Sequence, residues 1–400
     1  MSMLRAALVL GLLAAVGPFA IDMYLPAMPT IAAALETDAA GVQLTLTAYF
    51  VAFGVAQLFY GPWADQAGRK LPLYLGLVIF IFGGVGSAMS QSIAALVAFR
   101  AIQGLGGAVL MVVPRAIIRD MHTGPAATKL MAMVMLVISV SPMLAPLAGS
   151  ALIAVGDWRL IFWVLCLGGG LSLFVTGVLL PETLPVERRV RVNLRNLLRG
   201  ARVLFRDPVF MGLTFVGGFG FASFMVFIAS AAFVYSEQFG LSPTGFSLAF
   251  AINALGFFAA SQGAGPLGER YGMLPVMRRA IIGFGCFTVG LLLLLLAGFV
   301  SLPLIILGLF CANACLGLII PTTMVMALDP HGEIAGLASS LGGTLQMVTG
   351  GVMVVLTGLI FDGTAVPMVA AIAACAVLSL IVALRTFAVM GRAPDGALPS

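Results

Sequence analysis

Few side chains in this sequence could do chemistry where they stand. Asp22 ends a nearly unbroken apolar run that begins after Arg5, and Pro26 and Pro29 follow it closely. A carboxylate in that setting suits the uptake and release of a proton. Arg100 lies about eight residues inside another apolar run, roughly 12 Å deep at 1.5 Å per residue, and must face protein, water or an acid. Asp65, Arg69 and Asp120 stand at the ends of runs, where opposite charges can pair. Ser87 is a nucleophile within a run, but His122 and His331 fall in loops and no second acid within a run pairs with Asp22. Neither a Ser/His pair nor an aspartyl dyad can be assembled, so an intramembrane hydrolase is excluded and no enzyme activity is expected. Cys166, Cys286, Cys311, Cys315 and Cys375 all lie in apolar runs. They promise no disulfide framework, and Cys311 and Cys315 have no His or acid beside them to complete a metal site. The chemistry on offer is proton transfer and charge pairing, with the proton as coupling ion and no cofactor or metal.

Helices in lipid must position these groups. Hydrophobic residues make up 61% of the 400 and charged residues 9%, with a mean hydropathy of +1.14. A water-soluble fold of that composition would expose a mostly apolar surface. The apolar residues form runs of about twenty, the length that crosses a ~30 Å core as a helix, without the period-two alternation of a barrel strand. The expected fold class is therefore an all-α membrane protein with twelve transmembrane helices, six between residues 5 and 180 and six between 208 and 388. The first run, which could pass for a signal peptide, is expected to be an uncleaved first helix because more spans follow. Nucleic-acid binding is excluded.

With both termini cytoplasmic, eighteen of the twenty lysines and arginines fall on the inner side, leaving Arg100 within a span and Arg159 outside. Seven of them lie between Arg188 and Arg206. Arg191, Arg195, Arg199, Arg202 and Arg206 recur at helical spacing beside leucines, so this linker is expected to lie along the inner leaflet against anionic lipid. The expected domains are an N-terminal six-helix bundle (1–180), a basic linker (181–207) and a C-terminal six-helix bundle (208–400). Gly61-Pro62-Trp63-Ala64-Asp65-Gln66-Ala67-Gly68 recurs as Gly265-Pro266-Leu267-Gly268-Glu269-Arg270-Tyr271-Gly272, an offset of 204 residues. Each copy joins the second and third spans of its half. Two like six-helix halves are what an alternating-access transporter uses, with the solute site between them near the midplane.

Gly61 to Lys70 resembles the loop signature G-x-x-x-D-x-x-G-R-[KR] of the major facilitator superfamily. Phe99-Arg100-Ala101-Ile102-Gln103-Gly104-Leu105-Gly106 resembles its R-x-x-Q-G-x-G element. Ser141-Pro142-Met143-Leu144-Ala145-Pro146-Leu147-Ala148-Gly149-Ser150 is similar to the antiporter signature of its exporters, with Ala145-Pro146 for the usual G-P and Gly149-Ser150 for the terminal G-G. The A-P-x-x-A-P-x-x-G form and the first-span sequence Asp22-Met23-Tyr24-Leu25-Pro26-Ala27-Met28-Pro29 resemble the bicyclomycin/chloramphenicol (Bcr/CflA) branch of drug:proton antiporters.

The resemblance implies proton-driven efflux of small, partly hydrophobic compounds, including antibiotics, through a multi-pass protein of a bacterial inner (plasma) membrane, working as a monomer. It also implies roles. Asp22 and Arg100 couple the proton; Gly61, Asp65, Gly68, Arg69 and Asp120 form a gate on the cytoplasmic side; Pro142, Ala145, Pro146 and Gly149 kink the fifth span and let its neighbour approach. Tyr24, Tyr49, Gln57, Gln103, Asn253, Asn313 and Gln346 face a substrate cavity or, equally, join helices to one another. Asp22 as an interfacial acid and Arg100 as a snorkelling cation are the structural alternatives. The functional alternative is a proton-coupled importer or exporter of a sugar or other small metabolite, against which the antiporter signature argues.

Overall fold

The computed structural model describes residues 3–122, 124–189 and 194–391. Arg191 and Arg392, counted among the inner cations above, lie outside them. Among the described residues the chain is helical, and twelve helices are long and apolar enough to cross a membrane.

Two compact units are present, Met1–Asn193 and Leu194–Ser400, each carrying six of those spans. The division falls inside the basic linker, between 181–189 on one side and its helix on the other. In the first unit the helices are α1 (Met3–Asp22), α2 (Met28–Ala34), α3 (Ala39–Ala67), α4 (Lys70–Ala88), α5 (Ile93–Gly107), α6 (Val109–Met121), α7 (Gly124–Val155) and α8 (Arg159–Val178). The second unit holds α9 (Leu194–Arg206), α10 (Pro208–Phe233), α11 (Pro243–Tyr271), α12 (Met273–Leu296), α13 (Leu302–Leu328), α14 (Ala335–Gly358) and α15 (Ala365–Met390).

The starts and stops follow from the sequence. Asp38, Ser92, Asp207 and Ser242 cap α3, α5, α10 and α11 by accepting backbone N–H groups of the first turn. α3 and α11, each 29 residues long, end on glycines with left-handed backbone, Gly68 at φ +91° and Gly272 at φ +84°. No L side chain adopts that conformation readily, which explains why both copies of the repeated loop close on glycine.

In the first unit two spans are interrupted. α1 and α2 form one 32-residue span, Met3–Ala34, broken at Met23–Ala27, where Pro26 and Pro29 lack the N–H groups a continuous helix would need. The fourth span, Ile93–Met121, changes from α5 to α6 at Ala108. Interhelical contact inside the first unit is tightest where glycines meet backbone. A Cβ on Gly104 would run into the Tyr49 carbonyl, and one on Gly106 into the backbone of Gly76 and Phe80. α5 is thereby pressed between α3 and α4, an approach only small residues allow.

Candidate functional site

Asp22 is the last residue of α1, at the break in the first span, and is 4% exposed. It is the only buried carboxylate among the described residues. Its surroundings come from three helices. α5 brings Arg100, fully buried, whose Nη1 donates to the carbonyl of Ala20 at 3.1 Å and to Oε1 of Gln103 at 2.6 Å. The Ala20 carbonyl is one that the interruption of the helix deprives of its usual partner, so the guanidinium caps the C-terminal end of α1.

Among the described residues Arg100 makes no ion pair. Aromatic faces surround it instead, with Tyr49 at 4.4 Å, Tyr24 at 5.0 Å and Phe162 at 5.8 Å from the guanidinium carbon. Desolvated cation–π contacts are worth about 2 kcal/mol each, well short of the cost of burying an unpaired charge. Arg100 Nε and Nη2, Gln103 Nε2 and Tyr49 Oη have no hydrogen-bond partner. The cluster therefore holds donors in excess of acceptors. Tyr24 is committed: Thr45 donates its own proton to the carbonyl of Val42, so Tyr24 donates to Thr45 Oγ1 at 2.8 Å. The glycines of the arginine's motif set this arrangement up. Gly104 abuts the Tyr49 backbone, and a Cβ on Gly107 would lie 2.7 Å from the Tyr49 hydroxyl.

α7 reaches the same break from another side. Pro142 and Pro146 lie inside it, Ala145 is buried, and a Cβ on Gly149 would strike the Met23 carbonyl and sit 3.1 Å from Pro26. Glycine at 149 is thus required by close approach to the broken span.

A second cluster gathers the charged residues at the ends of α3 and α6. Arg69 is 6% exposed; its Nε and Nη2 donate to Asp120 at 2.7 and 3.2 Å, and its Nη1 donates to Asp65 at 2.6 Å. Thr183 Oγ1 donates to Asp120 at 3.1 Å. Burial opposes the charge on Arg69, but the hydrogen bonds it donates to Asp120 and Asp65, and their negative charges, outweigh it and hold the pKa above its ordinary value. Gly61, by contrast, is not sterically required, since a Cβ there would meet nothing nearer than Val112 at 3.9 Å. At Gly68, in contrast, a Cβ would come within 2.7 Å of Glu182 and 2.8 Å of Arg189.

Glu182 was not singled out from the sequence. It accepts the backbone N–H groups of Arg69 at 2.9 Å, Lys70 at 3.2 Å and Leu184 at 3.0 Å, and so caps α4 from more than a hundred residues away. Arg69, the residue before α4, offers no cap of its own. Burial pushes the Glu182 carboxyl up, but the three N–H donors and Arg189 bring it below the usual range. The only available signal was an acid just after the sixth span.

Among the described residues of the second unit no charged side chain is buried. Asn253 donates to the carbonyl of Ala249 in its own helix and faces the hydroxyl of the buried Tyr235, and Asn313 is buried with Nδ2 lacking a hydrogen-bond partner among the described residues. Gln346 lies against the glycines of α10, where a Cβ on Gly217 would be 3.0 Å from its Nε2. Of the proposed cavity residues, then, Tyr24, Tyr49 and Gln103 gather around Arg100, Gln57 is buried on α3, and Asn253, Asn313 and Gln346 are dispersed in the second unit. Ser87 donates to the carbonyl of Gly83 one turn back and faces no base.

A family model described as Major Facilitator Superfamily matches residues 10–352. The chain is 34% identical over 368 residues to an uncharacterized MFS-type transporter, YdgK, of Bacillus subtilis (strain 168), with 91% of each chain covered. It is 31% identical to multidrug resistance protein D of Escherichia coli (strain K12) over 88% of each chain, and 29% identical to a bicyclomycin resistance protein homolog of Haemophilus influenzae over 94% of each. Among solved structures, that of a D-xylose-proton symporter matches with a TM-score of 0.76 at 14% identity, covering 97% of this chain and 98% of that one, a likeness of fold alone.

Proposed function

Because the chain belongs to the major facilitator superfamily, we propose that it is a proton-driven exporter of small, partly hydrophobic compounds, antibiotics among them, in a bacterial inner membrane. The observation that carries the reading is the buried Asp22 at a broken span, with a buried arginine on the Ala20 carbonyl two residues before it whose other N–H groups lack an acceptor. Both charges are costly in lipid, about 2.5–3.5 kcal/mol each at a helix centre on insertion scales, and a static scaffold gains nothing from them.

In this mechanism Asp22 loads a proton from the outer side and gives it up to the inner side, one per cycle, while substrate moves the other way. Ionised, the carboxylate can engage the unpartnered guanidinium nitrogens; protonated, it releases them, and the interrupted backbone at Met23–Ala27 absorbs the change. The Arg69–Asp65–Asp120 cluster acts as a gate that favours the state closed to the cytoplasm. Both termini and the basic linker lie on the cytoplasmic side. The transporter works as a monomer and needs no cofactor. Relatives named for drug resistance, aligned over most of the chain, support export over sugar import, to which the likeness of fold adds nothing.

The test uses everted vesicles energised by a proton gradient and a panel of uncharged antibiotics. Addition of a substrate should dissipate the gradient in wild-type vesicles and leave it intact in Asp22→Asn vesicles that hold equal amounts of protein. Accumulation against a gradient at the wild-type rate by Asp22→Asn would make Asp22 an interfacial acid and place the coupling group elsewhere.

A further inference from the structure

The amphipathic helix α9 divides into three strips. Gly200 and Leu204, four residues apart, are buried in the second unit, where a Cβ on Gly200 would come 2.7 Å from Leu337 of α14. Arg195, Arg199, Arg202 and Arg206 fall within about 60° of one another at 100° per residue and are exposed. Leu198, 63% exposed, and Phe205, 52% exposed, occupy the edge beside them.

Arg199, Arg202 and Arg206 form no ion pair among the described residues. The acid that follows, Asp207, is already engaged: Oδ1 accepts from the amides of Val209 and Phe210 at 2.8 and 3.2 Å, and Oδ2 meets His331 Nε2 at 2.8 Å. Only Asp207 separates α9 from the span that begins at Pro208. Two peptide units reach at most ~7 Å, less than the ~8 Å screening length at physiological ionic strength. Arg206 is therefore held at the membrane boundary by the chain itself, with two large apolar side chains beside the cationic strip and, among the described residues, no acid paired with Arg199, Arg202 or Arg206.

We propose that this face of α9 docks anionic phospholipid headgroups, with Leu198 and Phe205 inserted among the acyl chains, and that the contact of Gly200 with Leu337 passes lipid occupancy to α14. The helix is then more than a topology signal, because its opposite face belongs to the transporting unit. The inference rests on the membrane-spanning reading and is independent of what is transported.

The full chain is reconstituted in nanodiscs of phosphatidylcholine alone or of phosphatidylcholine with phosphatidylglycerol, and amide hydrogen exchange is followed over residues 194–206 and 334–341. Phosphatidylglycerol should slow exchange in both segments, by roughly fivefold for each arginine engaged, and high salt should remove the difference. The triple variant Arg199→Gln/Arg202→Gln/Arg206→Gln should exchange alike in the two lipids. Gly200→Leu should retain the slowing in α9 and lose it at 334–341. Equal exchange of the unmodified protein in both lipids, or slowing that survives high salt, overturns the docking; slowing at 334–341 that survives Gly200→Leu overturns the transmission. The unmodified protein suffices for the first two outcomes, whatever the variants do to folding.

Discussion

Counted from the start of each helix, three positions in the first unit carry side chains that differ from those at the same count in the second. The twentieth residue of α1 is Asp22 and that of α10 is Phe227; the eleventh of α3 is Tyr49 and that of α11 is Asn253; the eighth of α5 is Arg100 and that of α13 is Leu309. In the second unit Phe227 stacks on Phe250 at 5.5 Å and Leu309 is 2% exposed, the ordinary contents of an apolar core. Helices of similar length thus form with or without the charges. The cost of burying Asp22 and Arg100 is borne by one unit only, which argues that the charges serve transport and not assembly.

The sharpest test of that asymmetry sets Arg100→Leu against Leu309→Ala. Arg100→Leu should abolish proton-driven transport in everted vesicles while the protein inserts and melts at or above the wild-type temperature, because an apolar group replaces a buried unpaired cation. Leu309→Ala should cost about 2–5 kcal/mol of stability yet leave the folded fraction coupled. Wild-type transport by Arg100→Leu would make the two units equivalent in function. Next in size is Arg69→Ala, for which turnover should fall about tenfold, ~1.4 kcal/mol in the balance of states, with substrate affinity nearly kept. Stopped transport and equilibrium binding on one preparation separate the two; lost affinity with normal turnover would remove the gate role.

Gly68→Ala should be destabilising by about 1–2 kcal/mol from backbone strain, in addition to its collision with Glu182. Glu182→Gln gives a smaller, pH-dependent effect. The folded-state pKa of Glu182 is depressed, so its contribution is present above the ordinary glutamate value of 4.5 and is lost as pH falls through the lower folded value. The melting-temperature gap between wild type and Glu182→Gln should stay level down to about 4.5 and close as pH falls from there through the lower folded value. A gap that closed on the alkaline side would reverse the assignment. Smallest of all, Gly61→Ala should change stability by no more than about 0.5 kcal/mol, since its neighbour lies at ordinary contact distance. A large loss there would show that the signature glycine answers to a conformation other than this one.

The twelve spans were readable because lipid demands long apolar runs, and the residues at both clusters because an ion in or beside such a run needs a reason. What could not be read depends on the register between distant helices. Arg100 meets the rings of Tyr24, Tyr49 and Phe162 and not a carboxylate, an outcome decided by where α3 and α8 stand relative to α5. Glu182 caps α4 across more than a hundred residues, and no spacing in the chain announces that contact. Gly61 and Gly68 look alike in the motif, yet only Gly68 has a left-handed backbone. The linker reads as one basic stretch, whereas its opening residues pack in the first unit and its helix packs in the second.

The break at Met23 has a consequence for biosynthesis. α1 alone, at 20 residues or about 30 Å, is long enough to be accepted as a crossing when it leaves the ribosome. The groups that complete the surroundings of Asp22, Arg100 on the Ala20 carbonyl and Gly149 against the Met23 carbonyl, belong to helices synthesised long afterwards. Until α5 and α7 arrive, the acid sits at the end of an otherwise complete span with no protein cover and can remain wet at the bilayer surface. Its enclosure is therefore a late event in assembly, and a chain arrested before α7 should leave Asp22 open to water.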